Sequence, residues 1–196
     1  VMLPLPAGEF QAYLFDCDGT IVDSMPQHYA AWQQTLDEWG YALSEELFYA
    51  WAGRPNADII AELNQRHGLT MPLAEVVARR EALFHELLPT ATGIPGVLAH
   101  IDDAHGRIPF AVVSGSTRPA VTASLDALGI LDRFDVLVCA GDYTRAKPDP
   151  EPFLRAAELL GVPPQDCLVF EDADLGIAAA EAAGMAVVRV PQPRRG

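Results

Sequence analysis

Apolar residues follow two rhythms along the chain. Short runs rich in β-branched or aromatic residues end abruptly in polar ones: AYLFD at 12–16, FAVVS at 110–114, DVLVCAGD at 135–142, CLVFED at 167–172 and AVVRV at 186–190. Such runs mark short strands buried on both faces. Between most of them, at 95–105, 118–129, 150–161 and 174–184, apolar positions recur with helical spacing, and Gly129, Gly161 and Gly184 stand where those helices should stop. Strand and helix in alternation predict right-handed crossovers and an α/β fold: a Rossmann-like parallel sheet core with helices on both faces.

One segment breaks the alternation. From about 24 to 90 there is no strand-like run, only helical patterns. MPQHYAAWQQTLDEWG carries Ala31, Trp32, Leu36 and Trp39 at the spacing of one helical face, and NADIIAELNQRHG and PLAEVVARREALFHELL repeat the pattern. A βα connection normally takes about 2–6 residues. Some 65 residues of helix between the first two strands therefore predict an inserted all-α cap domain at 24–90, with 1–23 and 91–196 forming the core domain. Hinges are expected near Asp23–Pro26 and Thr90–Pro95, both rich in turn formers.

Composition narrows the function. The 196 residues suit one ordinary domain with a smaller insertion, and a chain of that length needs no disulfides to hold a core. With 13 basic against 27 acidic residues the net charge is −14 and no basic stripe exists, which argues against a nucleic-acid partner. An anionic substrate would meet an adverse overall field and would need a local cation. Cys17, Cys139 and Cys167 lie far apart beside apolar runs, which reads as buried reduced thiols in a cytoplasmic protein. VMLPLPAGEF has no basic stretch leading into a long apolar core, so no signal peptide is expected, and no run reaches the ~18 apolar residues of a membrane span.

Candidate chemistry gathers at the strand ends, beyond which open parallel sheets place their functional crevice. These ends read Asp16–Cys17–Asp18, Ser114–Gly115–Ser116, Gly141–Asp142 and Glu171–Asp172. A single Ser or Asp there is usually a cap for the next helix. Several carboxylates converging on one sheet edge need a cation, and an oxygen-rich site with few fixed ligands suits Mg²⁺. Lys147, the only lysine in the chain, follows the third core strand and could reach the same crevice.

FDCDGTIVDS, a serine after AVV, KPDP and VFEDADLGIAAAEAAG occur in the order and spacing of the four motifs of the haloacid dehalogenase superfamily. The chain resembles that superfamily from about residue 10 to 190, and its insert resembles the small helical cap of the β-phosphoglucomutase-like branch. The resemblance implies that Asp16 is a nucleophile forming an aspartyl phosphate and Asp18 the general acid and base. It also implies that Ser114, Gly115 and Lys147 hold phosphoryl oxygens. Mg²⁺ would be bound by the Asp16 carboxylate, the Asp18 carbonyl and Asp172, with Glu171 in support. Phosphoryl transfer needs charge neutralisation and in-line positioning above all, which such a set supplies.

Within the superfamily Asp18 favours phosphoester chemistry, because a departing halide needs no proton whereas a sugar alkoxide does. The resemblance is strongest to bacterial sugar-phosphate phosphatases, including those acting on fructose 1-phosphate. A monomeric phosphatase for a small sugar or polyol phosphate is expected, with a sugar phosphomutase as the alternative. His28 is shared by both. The mutases carry an arginine three residues after a cap-loop glycine, where this chain has Asn56 after Gly53, with Arg54 directly following that glycine. These four residues are the expected cap-side substrate contacts. A non-catalytic phospho-accepting receiver would also gather acids and a lysine at a sheet edge, but it lacks a long insert after the first strand.

Overall fold

The computed structural model describes residues 2–51 and 54–192. Seven strands appear in chain order: β1 (Ala12–Phe15), β2 (Val22–Asp23), β3 (Thr92–Gly93), β4 (Phe110–Thr117), β5 (Val136–Ala140), β6 (Cys167–Glu171) and β7 (Ala186–Arg189). The helices are α1 (Met25–Asp37), α2 (Glu45–Ala50), α3 (Asn56–His67), α4 (Leu73–Leu87), α5 (Pro95–Ala104), α6 (Arg118–Ala127), α7 (Glu151–Leu160) and α8 (Asp174–Ala182). They form two compact units, Val1–Asp23 with Thr92–Gly196, and Ser24–Ala91.

The first unit holds a parallel sheet in the order β5-β4-β1-β6-β7. The chain steps outward from β1 through β4 to β5, then crosses back to β6 and β7 on the other side. That reversal puts the topological switch between β1 and β6, where such sheets bind ligands.

Alternation along β1 divides its side chains between the faces. Ala12 and Leu14 join a cluster with Phe153, Ala156 and Ala157 of α7 and Ala179 and Ala180 of α8. On the other side Phe15 stacks on Phe170 at 4.8 Å and meets Phe110 edge-on at 5.5 Å, while His100 of α5 packs 5.2 Å from Phe170. These three phenylalanines are fully buried, and truncating any one to alanine costs about 3–5 kcal/mol.

Two features depart from the sequence expectation. β4 runs past Ser114 to Thr117, and its register against β5 shifts between Val113 and Thr117, a bulge no local pattern announces. A short antiparallel ladder pairs Val22 with Gly93 and Asp23 with Thr92, too brief to show a period. It pins together the two chain ends between which residues 24–91 depart and return.

The second unit is helical. Trp32, Leu36, Phe48, Trp51, Ile60, Leu63 and Met71 form its core. Ser44 caps α2 by accepting from the Leu47 amide at 3.2 Å, and Asn64 closes the α3–α4 connection with two 2.9 Å bonds to the Met71 backbone. Trp39 does not continue the buried face of Ala31, Trp32 and Leu36: α1 ends at Asp37, and Trp39 is 37% exposed. The chain turns there because the amides of Trp39 and Tyr41 both return to the Leu36 carbonyl. Among the described residues no helix is long and apolar enough to cross a membrane.

Candidate active site

β1 delivers Asp16 to the switch point and hands the chain to a tight turn. The Cys17 carbonyl accepts from the amides of Thr20, Ile21 and Val22 at 3.3, 2.9 and 3.0 Å. Gly19 has a φ of +87°, and a Cβ there would stand 2.6 Å from Asp172 Oδ2. Only glycine lets this turn pass so close to the carboxylate. Buried Thr20 donates to Asp172 Oδ1 at 2.8 Å, and Gln192 donates to Oδ2 at 2.5 Å.

β6 supplies the next carboxylate. Glu171 is 1% exposed and fully engaged: Oε1 accepts from the amides of Asp172 and Ala173 at 3.2 and 3.1 Å, and Oε2 accepts from Lys147 at 2.7 Å. Its side chain lies against Gly176 of α8, where an added Cβ would fall 1.9 Å from Oε2. Lys147 comes from the loop after β5. Its ammonium donates to Glu171, to Asp16 Oδ1 at 2.8 Å and to the Val113 carbonyl at 2.9 Å. Three donors thus meet three acceptors.

Electrostatics follow from burial. Desolvation, then the neighbouring Glu171, pushes the Asp16 carboxyl well above its ordinary range, although Lys147 pulls the other way. The same two causes push Asp172 up to about 6. Burial works against the Lys147 charge, but Asp16 and Glu171 outweigh it and raise its pKa, so the ammonium stays protonated. One cation therefore sits among three carboxylates.

Asp16, Glu171 and Asp172 each offer an oxygen within 4.8 Å of the others. An all-oxygen set in which the Asp16 and Asp172 carboxyls resist ionisation by themselves fits a hard divalent cation. Glu171 is held by two backbone amides and the Lys147 ammonium, whereas Asp172 is held by the Thr20 and Gln192 side chains, which can yield to an ion more readily.

At the end of β4, Ser114 is buried and its Oγ accepts from the Ser116 amide at 3.0 Å. Gly115 is exposed beside it, and Ser116 Oγ donates to Asp18 Oδ2 at 2.7 Å. Asp16, Lys147, Glu171 and Asp172 are thus brought together, with Asp18 linked to the Ser114–Ser116 bulge.

The remaining expected residues belong to the helical unit. His28 stacks flat on Phe84, 4.0 Å between ring centres, and its Nδ1 meets the Arg80 guanidinium. Arg80 also lies over Trp32 and Phe84 at 5.8 and 5.3 Å. Arg54 is paired with Glu62 at 2.5 Å, and Asn56 opens α3. Gly53 lies outside the described residues. Thr20, Gly176 and Gln192 escaped the sequence reading, and Ser116 entered it only as part of the polar SGS after AVV, with no role of its own.

A family model for haloacid dehalogenase-like hydrolases matches residues 10–184. The chain belongs to the haloacid dehalogenase-like hydrolases. Among relatives of this hydrolase is the fructose-1-phosphate phosphatase YqaB of Escherichia coli, 39% identical over 92% of this chain and 96% of the relative. Hexitol phosphatase A of the same organism is 33% identical over 93% and 84% of the two chains. Of solved structures, a β-phosphoglucomutase from Clostridium difficile superposes with a TM-score of 0.81 at 26% identity, covering 93% of this chain and 85% of that one.

Proposed function

We propose that this hydrolase is a Mg²⁺-dependent phosphatase that cleaves the phosphate monoester of a small sugar or polyol through an aspartyl-phosphate intermediate. The observation that carries the reading is Lys147, whose ammonium joins Asp16 and Glu171 at the sheet switch point beside Asp172. The names of the curated relatives, which act on fructose 1-phosphate and hexitol phosphates, support the substrate class.

Asp16 attacks phosphorus, the bond from phosphorus to the sugar oxygen breaks, and Asp18 gives that oxygen its proton. Water then attacks phosphorus, the bond to Asp16 breaks and phosphate leaves, while Asp18 takes a proton from that water. Lys147, Ser114 and Gly115 hold phosphoryl oxygens. Asp16, the Asp18 carbonyl and Asp172 are the residues that would hold Mg²⁺, with Glu171 fixing Lys147 and the backbone around them. When bound, the ion screens the repulsion between the substrate dianion and the attacking carboxylate.

We assign residues 24–90 the role of a cap domain that selects the sugar, with His28, Arg54 and Asn56 as its candidate contacts. The phosphomutase reading requires a cationic grip on a second phosphate. Arg54 is engaged by Glu62 and Arg79 by Glu38, which favours simple hydrolysis.

A panel of sugar and polyol phosphates assayed for phosphate release with Mg²⁺ tests the reading. Turnover that disappears in Asp16→Asn is expected, and an active Asp16→Asn would sink the mechanism. Conversion of β-glucose 1-phosphate, primed with the 1,6-bisphosphate, to glucose 6-phosphate without free phosphate would replace hydrolysis by the mutase reaction.

A further inference from the structure

We propose that Ser116 is a positioning residue for Asp18, holding its carboxyl in place for proton transfer. The inference rests on the acid–base assignment of Asp18 above. It starts from the bulge. Between Val113 and Thr117 β4 advances four residues while β5 advances only from Val138 to Ala140, so the strand carries two extra residues. Such irregularities re-aim side chains at the rim of a sheet. Here the Ser114 hydroxyl accepts the Ser116 amide at 3.0 Å and steadies the extra residues. Half-buried Ser116 then donates its hydroxyl to Asp18 Oδ2 at 2.7 Å.

The Ser116 hydroxyl fixes the orientation of the Asp18 carboxyl. In the first step the Asp18 proton passes to the leaving sugar oxygen as the phosphorus–oxygen bond breaks. Negative charge then develops across the Asp18 carboxylate, and the Ser116 hydrogen bond becomes charge-assisted and stronger. An interaction that strengthens toward the transition state lowers the barrier rather than merely aiding binding. In the second step water attacks phosphorus, the bond to Asp16 breaks, and the water's proton passes to the Asp18 carboxylate, which the Ser116 bond again holds in place.

The experiment compares kcat/KM, which reports the first phosphoryl transfer, for two leaving groups. One substrate is the fastest sugar phosphate of the panel, whose alkoxide needs the proton. The other is p-nitrophenyl phosphate, whose phenolate leaves without one. Ser116→Ala keeps the backbone amide bonded to Ser114, so the bulge is retained. It is expected to lose about tenfold on the sugar phosphate, the worth of one charge-assisted hydrogen bond, and less than about twofold on p-nitrophenyl phosphate. Ser116→Thr, which keeps the hydroxyl, should recover most of the loss. In an Asp18→Ala background, Ser116→Ala should cost nothing further.

Equal losses on both substrates would show that Ser116 serves the phosphoryl group instead. An added loss in the Asp18→Ala background, or no loss on either substrate, would equally overturn the proposal. If Asp18→Ala by itself spares the sugar phosphate, it is the acid–base assignment of Asp18 that fails, separately from any role of Ser116.

Discussion

Replacing Gly176 by alanine sets two effects of opposite sign against each other. By helix propensity alone the change inside α8 should stabilise the protein by about 1 kcal/mol. The new Cβ, however, would lie 1.9 Å from Glu171 Oε2, 2.1 Å from its Cδ and 2.6 Å from its Cγ. Glu171 cannot swing clear, because it is 1% exposed and tied to Lys147 at 2.7 Å and to two backbone amides. Reaching ordinary contact at 3.4 Å requires the carboxylate or the helix to retreat by roughly 1.5 Å, enough to break the Lys147 bond. Overpacking costs about 1–3 kcal/mol and a lost hydrogen bond to a charged group about 1.5–3. Offset by the propensity gain, the net loss is about 1.5–5 kcal/mol. At about 2–4 °C per kcal/mol for a chain of this size, Tm should fall by roughly 3–20 °C. Lys147 would also lose one of its two carboxylate partners, so turnover of the sugar phosphate should drop about tenfold or more. A thermal melt and an initial-rate assay check both. A Tm at or above that of the unsubstituted protein would mean that Glu171 is not held against α8 as described.

Two further outcomes follow from the charges. Asp172 titrates at about 6 against an ordinary 3.8, and Asp16 is also raised, so the metal-free folded protein holds protons that the unfolded chain has lost. Stability in EDTA should therefore fall as pH rises from about 4 to 6, by about 3 kcal/mol at most for Asp172, whereas saturating Mg²⁺ should largely abolish the fall. Melting curves that coincide with and without Mg²⁺ across this range would refute the electrostatic account. The three cysteines are buried and free, with burial pushing Cys139 and Cys167 up to about 11 and Cys17 well above its ordinary value. A disulfide reagent at pH 8 should leave the native protein essentially unreacted over minutes and titrate three thiols in urea. A thiol that reacts at once in the native state would contradict their burial.

The chemistry was more legible in the sequence than its support. Asp16, Glu171 and Asp172 could be found because each ends an apolar run, and run ends in a parallel sheet share one edge. Lys147 stood out by being unique. Ser116 was visible as a polar strand end, but its partner was not, because its placement depends on a register shift in β4 decided by pairing with β5. Gly176 looked like an ordinary helix glycine, since its role is set by a side chain five residues earlier. Gln192 reaches Asp172 from the far end of the chain, and no spacing could suggest it. Trp39 misled for the opposite reason: its spacing fits a helix that the backbone had already ended.

The three bonds made by Lys147 have a consequence for reagents rather than substrates. Since the chain has no other lysine, its only side-chain amine is the one buried between Asp16 and Glu171. Acylating agents, which need an exposed and unprotonated amine, find neither there. The other cationic side chains are guanidinium or imidazole, to which such agents are nearly inert, so besides the α-amine Lys147 is the one amine target. An acyl group mapped to Lys147 would therefore record that its pairing with Asp16 and Glu171 had come apart.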